Sequence, residues 1–365
     1  MEVKKLPISL KLEADRMRNL AVMNQEFIKE IEVVKEERRL RTDDNPQNLT
    51  YERFSAAANV ASPYHHPVIG YKQDLWNLNQ ENMVNFYKKH YWPNNATLIV
   101  VGDVKHEDVF KLAEQNFGSL EPNWDYKKEE FYHSPDLSSK SVTIYRDVKQ
   151  PLVTLIWTIP GQKSKKSYLW NLISLVLAQG KGSRLYRKLV DELQLVVDID
   201  ASSWDLFDYS IFIINFQPLE PENINQIINI IKEEIDYLAT NNIEKKEFIR
   251  AVKKTEVDYL AMLENNHQQC TLLGEMYLAT GDPDYLYNYL NEIQKEENID
   301  LIKQEIKQYL RPTLMHTGFV LPMAQEEKEN WLKLQEISDQ EDAKILSGKS
   351  REIEVEDGVH VNNIT

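Results

Sequence analysis

Apolar residues return with a helical period near the start of the chain. Leu20, Val22, Met23, Phe27, Ile31 and Val34 recur every few positions, and no Pro or Gly interrupts residues 8–45, so the opening predicts helix. TDDNP at 42–46 is a stop signal. A short helical piece around 50–59 follows, then a proline-bounded loop, SPYHHPVIG. Asn79 stands where it would cap a helix through NMVNFYKKHY, ended by Pro93. The run ATLIVVGDV at 96–104 is short, apolar, rich in β-branched residues and bounded by polar turn residues, which predicts a buried strand. Helix is expected over 106–116. The polar stretch EPNWDYKKEEFYHSPDLSSK then lacks any period and carries two prolines, which marks a boundary.

Beyond it the pattern alternates. SVTIYRDV and LVTLIWTIP read as paired strands, helices are expected at 165–178 and 183–193, and strands at 195–203 and 209–217. Amphipathic helices fit 221–239 and 243–265, with more helix to about 309 and a last strand in TLMHTGFVLP. Strands joined partly as hairpins and partly through helices indicate an α+β fold. The charge-rich tail, 324–365, predicts one helix and then disorder.

Length and composition set bounds on this picture. The 365 residues suggest about two domains, and 42% hydrophobic with 28% charged residues is enough to bury a core. A formal charge of −15 argues against nucleic acid as a partner, since phosphate backbones select clustered Lys and Arg. Cys270 is the only cysteine, which excludes an internal disulfide and a cysteine-rich zinc site. The first residues lack the apolar core of a signal peptide, and no run of about 18 apolar residues is long enough for a membrane span. As it stands the chain reads as cytoplasmic, with a periplasmic, secreted or organellar location left open.

The candidate chemistry begins in FIKEIEVVKEERRLRTDDNP at 27–46. Residues seven apart on a helix differ by only about 20°, so Glu30 and Glu37 share a face, while Ile31, Val34 and Arg38 share a neighbouring one. Two readings stand. The glutamates are a solvated face paired with Lys29, Arg38 or Arg39, or they are carboxylates held for a task. Eight histidines occur, at 65, 66, 90, 106, 133, 267, 316 and 360; no two are four apart, and neither H-x-x-E-H nor H-E-x-x-H is present. His65 and His66 are expected to point to opposite sides of a loop, and His90 to end a helix. QGKGSRLYRKL at 179–189 is not a phosphate loop. It predicts a turn with Ser183 capping a helix from Arg184, glycines permitting close approach, and Leu185 and Leu189 facing the core.

E-x-x-V-V-x-x-E, then DDNP, SPYHHPVIGY, HYWPNNATLIVVGDV and QGKGSRLYRKLVDE, taken together, resemble the pitrilysin/insulinase metallopeptidases, to which mitochondrial processing peptidase belongs, over roughly residues 5–322. The resemblance implies two similar two-layer α/β domains with mostly antiparallel sheets, the first incomplete at its N-terminus. The bounds are 1–122 for the first domain, 123–139 for a linker, 140–323 for the second domain and 324–365 for the tail. In that family an H-x-x-E-H helix supplies two zinc ligands and a general base, and a later glutamate completes the site. By match, Glu37 is that third zinc ligand and Glu30 the auxiliary glutamate beside it. Gly180, Gly182, Arg184 and Tyr186 become candidate substrate contacts.

The resemblance thus implies a zinc endopeptidase family member acting on peptides or unfolded segments. Lacking H-x-x-E-H, the chain is expected to be inactive by itself. The alternative is a non-catalytic subunit that binds substrate or stabilises a catalytic mate, and a second family half or a homodimer mate is the expected partner.

Overall fold

A computed structural model describes residues 2–59, 62–128 and 138–330, with residues 332, 333, 336 and 337. Most of the expected linker and the tail beyond 337 lie outside the described residues. The first half is helical: α1 (Leu6–Asn19), α2 (Asn24–Arg38), α3 (Pro46–Ala58), α4 (Lys72–Asn77), α5 (Gln80–His90) and α6 (His106–Phe117). The expected single opening helix is broken at residues 20–23. There the Leu20 N–H donates to Tyr87 Oη at 3.3 Å and Gln80 Nε2 donates to the Val22 carbonyl at 2.5 Å, so α5 holds the link extended. Asn79 caps α5 as expected, in a reciprocal pair with Asn82: Oδ1 of each accepts the other's backbone N–H, at 2.9 and 3.1 Å.

The second half carries a five-stranded sheet of β1 (Ser141–Arg146), β2 (Leu152–Pro160), β3 (Val196–Trp204), β4 (Tyr209–Pro218) and β5 (His316–Pro322), in the order β1-β5-β2-β4-β3. Only β1 and β5 run parallel; the other pairs are antiparallel. β1 and β2 are therefore not partners, contrary to the sequence expectation, because β5 lies between them. The connection DVKQP lacks a tight-turn dipeptide and is long enough to cross two strand spacings of about 4.8 Å each, which leaves room for β5.

Alternation along the strands makes two buried faces. Leu155, Trp157, Phe212 and Ile214 point into the main core against α7 (Tyr168–Leu177), beyond which lie the short α8 (Arg184–Tyr186), α9 (Ile224–Thr240) and α10 (Lys245–Leu263). The chain continues through α11 (Asn266–Thr280), α12 (Tyr285–Ile293) and α13 (Asn298–Tyr309). On the opposite sheet face, Ile156 and Ile211 pack with Phe54 and Ala58 of α3, and Tyr51 meets Trp204 at 4.7 Å between ring centroids. A helix of the first half thus covers the sheet of the second.

ATLIVVGDV is the second correction. Residues 97–101 belong to no ladder among the described residues, and Leu98 is 46% exposed. No strand among the described residues lies beside them, and an apolar run becomes a buried strand only when neighbours take its backbone hydrogen bonds.

Candidate functional site

The end of α2 is anchored by a buried charge. Arg38 forks onto Glu52 of α3, with Nη1 to Oε2 at 2.8 Å and Nη2 to Oε1 at 3.1 Å, and both side chains are 4% exposed. Nη1 also donates to the Gly70 carbonyl at 2.6 Å and Nη2 to Asp43 Oδ1 at 3.1 Å, while the buried Nε has no partner among the described residues. Burial works against the guanidinium charge, yet the Glu52 and Asp43 carboxylates outweigh it and hold the proton more firmly than usual. Burial pushes the Asp43 carboxyl up, against the pull of Arg38 and Lys72. A residue chosen only for sharing a helix face is therefore the clamp that fixes α2, α3 and the Gly70 loop together.

One residue earlier, Glu37 opens onto a cavity of about 670 Å³. Its side chain is 38% exposed and pairs with Arg41 at 3.0 Å, not with Lys29, Arg38 or Arg39. Lys29 is taken by Glu26, and Arg39 by Glu36 and Asp44. The cavity lies between α3, the 64–69 loop and the outer sheet face, where Thr154, Ile156, Ile211, Ile213 and Asn215 form its floor. Several of its polar groups are already satisfied within the protein. Thr154 Oγ1 donates to Asn215 Oδ1 at 2.8 Å, and Tyr209 Oη donates to Asn59 Oδ1 at 2.7 Å, with burial pushing that phenol up to about 12. What remains open is an apolar floor with a rim of mixed polarity, of a size common for ligand sites.

Glu30 does not reach this cavity. It is exposed on α2, without a described partner, so α2 does not bring the two glutamates to one feature. His65 and His66 do not diverge as expected: the 3₁₀ turn at Pro63–His65 brings their rings to 3.9 Å, and His65 Nδ1 lies 2.6 Å from the Ser62 carbonyl. His90 is the last residue of α5, as expected. Among the described residues no three His, Cys, Asp or Glu side chains converge on a point a metal could occupy. Zinc for catalysis needs three protein ligands and an open position, so one carboxylate paired with Arg41 does not fit it, and no hydrolytic step follows from these residues.

The 179–189 segment lies elsewhere. Gly180 takes φ +81°, a turn conformation that L side chains rarely adopt. Gly182 makes room for Arg250, whose Nη1 is 2.2 Å from where a Cβ would stand. Ser183 precedes α8, but its hydroxyl donates to the Gly180 carbonyl at 2.7 Å and does not cap the helix. Leu185 and Leu189 are fully buried, as expected. Arg184 is occupied: Nε and Nη2 donate to Glu247 at 2.8 and 2.7 Å, and Nη1 to Glu234 at 2.9 Å. The pairing with Glu247 raises the guanidinium's pKa, against the effect of burial. Tyr186 is half-buried against the core.

Reading the sequence missed Glu52, Tyr209 and the sheet floor. Their separations from the α2 segment are too long for any local pattern to show.

Comparison with known proteins places this geometry. A family profile described as peptidase M16 inactive domain matches residues 77–255. The zinc protease PqqE of Helicobacter pylori is 30% identical over 322 residues, covering 86% of this chain and 71% of that protein. An uncharacterized zinc protease of Rickettsia felis is 25% identical over 298 residues, 80% of this chain and 70% of that protein. The solved structure of a protease from Helicobacter pylori overlays with a TM-score of 0.78 at 28% identity, over 88% of this chain and 78% of that one. A peptidase M16 inactive domain from Pseudomonas fluorescens shares the fold, with a TM-score of 0.76 at 18% identity over 88% of this chain and 76% of that one. The chain belongs to the peptidase M16, or pitrilysin, family. Among the described residues no helix is long and apolar enough to cross a membrane.

Proposed function

We propose that this chain forms one wall of a peptide-handling chamber in an M16 assembly and does not itself hydrolyse peptides. The observation that carries this is Glu37, which faces a large, mostly apolar cavity with Arg41 as its partner, while neither H-x-x-E-H nor H-E-x-x-H occurs in the sequence. The relatives named zinc proteases support the family chemistry. In this reading Glu37 becomes a zinc ligand only when a second family half brings the H-x-x-E-H donors, and Glu30 stays an outer carboxylate.

A peptide segment fits the cavity because the rim offers both an acid and a base, suited to neutral amide groups. At the 179–189 turn, contact with substrate falls to the backbone of Gly180 and Gly182, since Arg184 is spent on Glu234 and Glu247. The non-catalytic subunit is thus favoured over an independent peptidase.

Zinc content and turnover of a quenched fluorescent peptide, measured on the purified 365-residue protein with zinc supplied, test this. Substoichiometric zinc and no turnover are expected. Stoichiometric zinc with turnover lost in Glu37→Gln would overturn it.

A further inference from the structure

One helix of the second half carries a face that its own fold leaves unused. α10 buries Phe248, Ala251, Val252, Thr255 and Tyr259 toward the core. Beside that buried face, steps of four, four, three, four and four residues align Lys245, Ile249, Lys253, Glu256, Leu260 and Glu264 in one stripe, since each such step returns the helix to within about 60° of its start. Ile249 is 43% exposed and Leu260 48%, so the two apolar members of the stripe stand in solvent. The two inner charges, Lys253 and Glu256, form no ion pair or hydrogen bond among the described residues. Other charges of the helix are spent: Lys246 pairs with Glu244 at 2.8 Å and Lys254 with Asp258.

The order along the stripe is base, apolar, base, acid, apolar, acid, which is its own complement when reversed. A two-fold axis between Lys254 and Thr255 would lay a second, antiparallel α10 on the first with Ile249 opposite Leu260 of the second copy and Lys253 opposite Glu256. Each contact then occurs twice, as an isologous interface requires. The inner four positions, spaced four, three and four, have the spacing of a coiled-coil seam. Lys245 and Glu264 fall opposite each other at the ends, a looser pairing because Lys245 is already drawn to Glu296 at 2.9 Å. A parallel, in-register pair would set Lys253 against Lys253 and Glu256 against Glu256, so the charges also select the antiparallel arrangement.

We propose that this face of α10 is the contact surface of a homodimer, two copies of the chain pairing through antiparallel α10 helices. Charge complementarity of the stripe with itself is the argument for that occupant. The proposal goes beyond the chamber reading and does not depend on it: α10 lies on the main-core side of the sheet and the cavity on the other, so neither Glu37 nor zinc enters. The face is short beside the roughly 1,600 Å² of a standard interface, so the dimer should be weak, with a Kd on the order of 10–100 µM.

Sedimentation velocity on the full 365-residue chain tests it, with dimer expected to grow as the concentration rises to about 200 µM. Lys253→Glu and Glu256→Lys should each weaken association by at least about 10-fold with the melting midpoint unchanged, because both contacts at the axis become repulsive. Mixed one to one, the two variants should associate again, since an acidic stripe then meets a basic one. Ile249→Glu, which sets a charge against Leu260, should abolish the dimer. A chain that stays monomeric at about 200 µM, a dimer indifferent to both charge swaps, or a mixture that fails to associate would each overturn the proposal. Loss of the dimer in Glu37→Gln would place the contact at the cavity and overturn it as well. Zinc content and turnover bear only on the chamber reading.

Discussion

Two helices cross from one half of this chain to the other, and they meet different surfaces. α3 lands on a finished sheet: Phe54 is 1% exposed, and Tyr51, Phe54 and Ala58 close over Ile156 and Ile211. α11 lands on residues 97–101, which belong to no ladder, and of its own residues only Gly274 and Ala279 are buried, while Leu278 is 62% exposed. Both helices bring apolar residues, so hydrophobicity does not separate them. The difference lies in the surface beneath, since a strand whose backbone groups are unpaired cannot be buried without cost and a helix above it has little to seal against.

The sharpest way to test that contrast is to remove one aromatic from each half. Phe212 is fully buried and touches Trp157 and Trp170, so Phe212→Ala should cost about 3–5 kcal/mol in urea unfolding. Phe110 on α6 is 71% exposed, and Phe110→Ala should stay within about 0.5 kcal/mol. Similar costs for the two would show that the first half has a core of its own.

The first half is also held by an ionic clamp. Arg38→Met strands Glu52 in a buried position and should cost about 3 kcal/mol, with the 64–70 loop becoming more sensitive to protease. Arg38→Met combined with Glu52→Leu should recover most of that loss. If the single change is silent, α2 is not clamped to α3 as the geometry indicates.

Acid separates the halves in sign. Burial opposes the charge on Glu247, but hydrogen bonds from Arg184 win and hold its carboxyl below the ordinary range. A lowered folded pKa gives stability that is present above the unfolded value near 4.3 and is lost as pH falls through the folded one. Asp43 is shifted the other way by burial, so its contribution is present at low pH and is lost as pH rises through its folded pKa. Glu247→Gln should therefore flatten the loss of stability below about pH 4.3, whereas Asp43→Asn should remove a loss that appears as pH rises. Melting midpoints taken across that range read both slopes.

Much of this was legible in the sequence, for a physical reason. The helices, the Asn79 cap and the second-half strands follow from local periodicity and capping, which neighbouring residues decide. The β1-β5-β2 order was not legible, because which strand fills the gap depends on partners as far apart in the chain as Ser141 and Thr317. Residues 97–101 show the same limit from the other side: their composition is that of a strand, but a ladder needs a partner that composition does not supply. At the site, Glu37 was found through the resemblance and its cavity was not, since Ile213 and Asn215 face it only once β4 has taken its register.

The smallest effect bears most directly on the comparison. The two crossings each depend on a glycine, placed oppositely. In the second half the glycine is on the strand, and a Cβ at Gly318 would press on Thr50 Cγ2, a stiff β-branched group on a helix that cannot retreat from a closed sheet. In the first half the glycine is on the helix, and a Cβ at Gly274 would meet only the end of the Ile99 side chain, on a strand that no ladder holds. Gly318→Ala should therefore cost about 1–3 kcal/mol by overpacking. Gly274→Ala should come out near neutral, because about 1 kcal/mol gained in helix propensity offsets the displacement of Ile99. A Gly274→Ala chain as destabilised as Gly318→Ala in isolation would mean that 97–101 is already held rigidly, and the contrast between the two halves would fall.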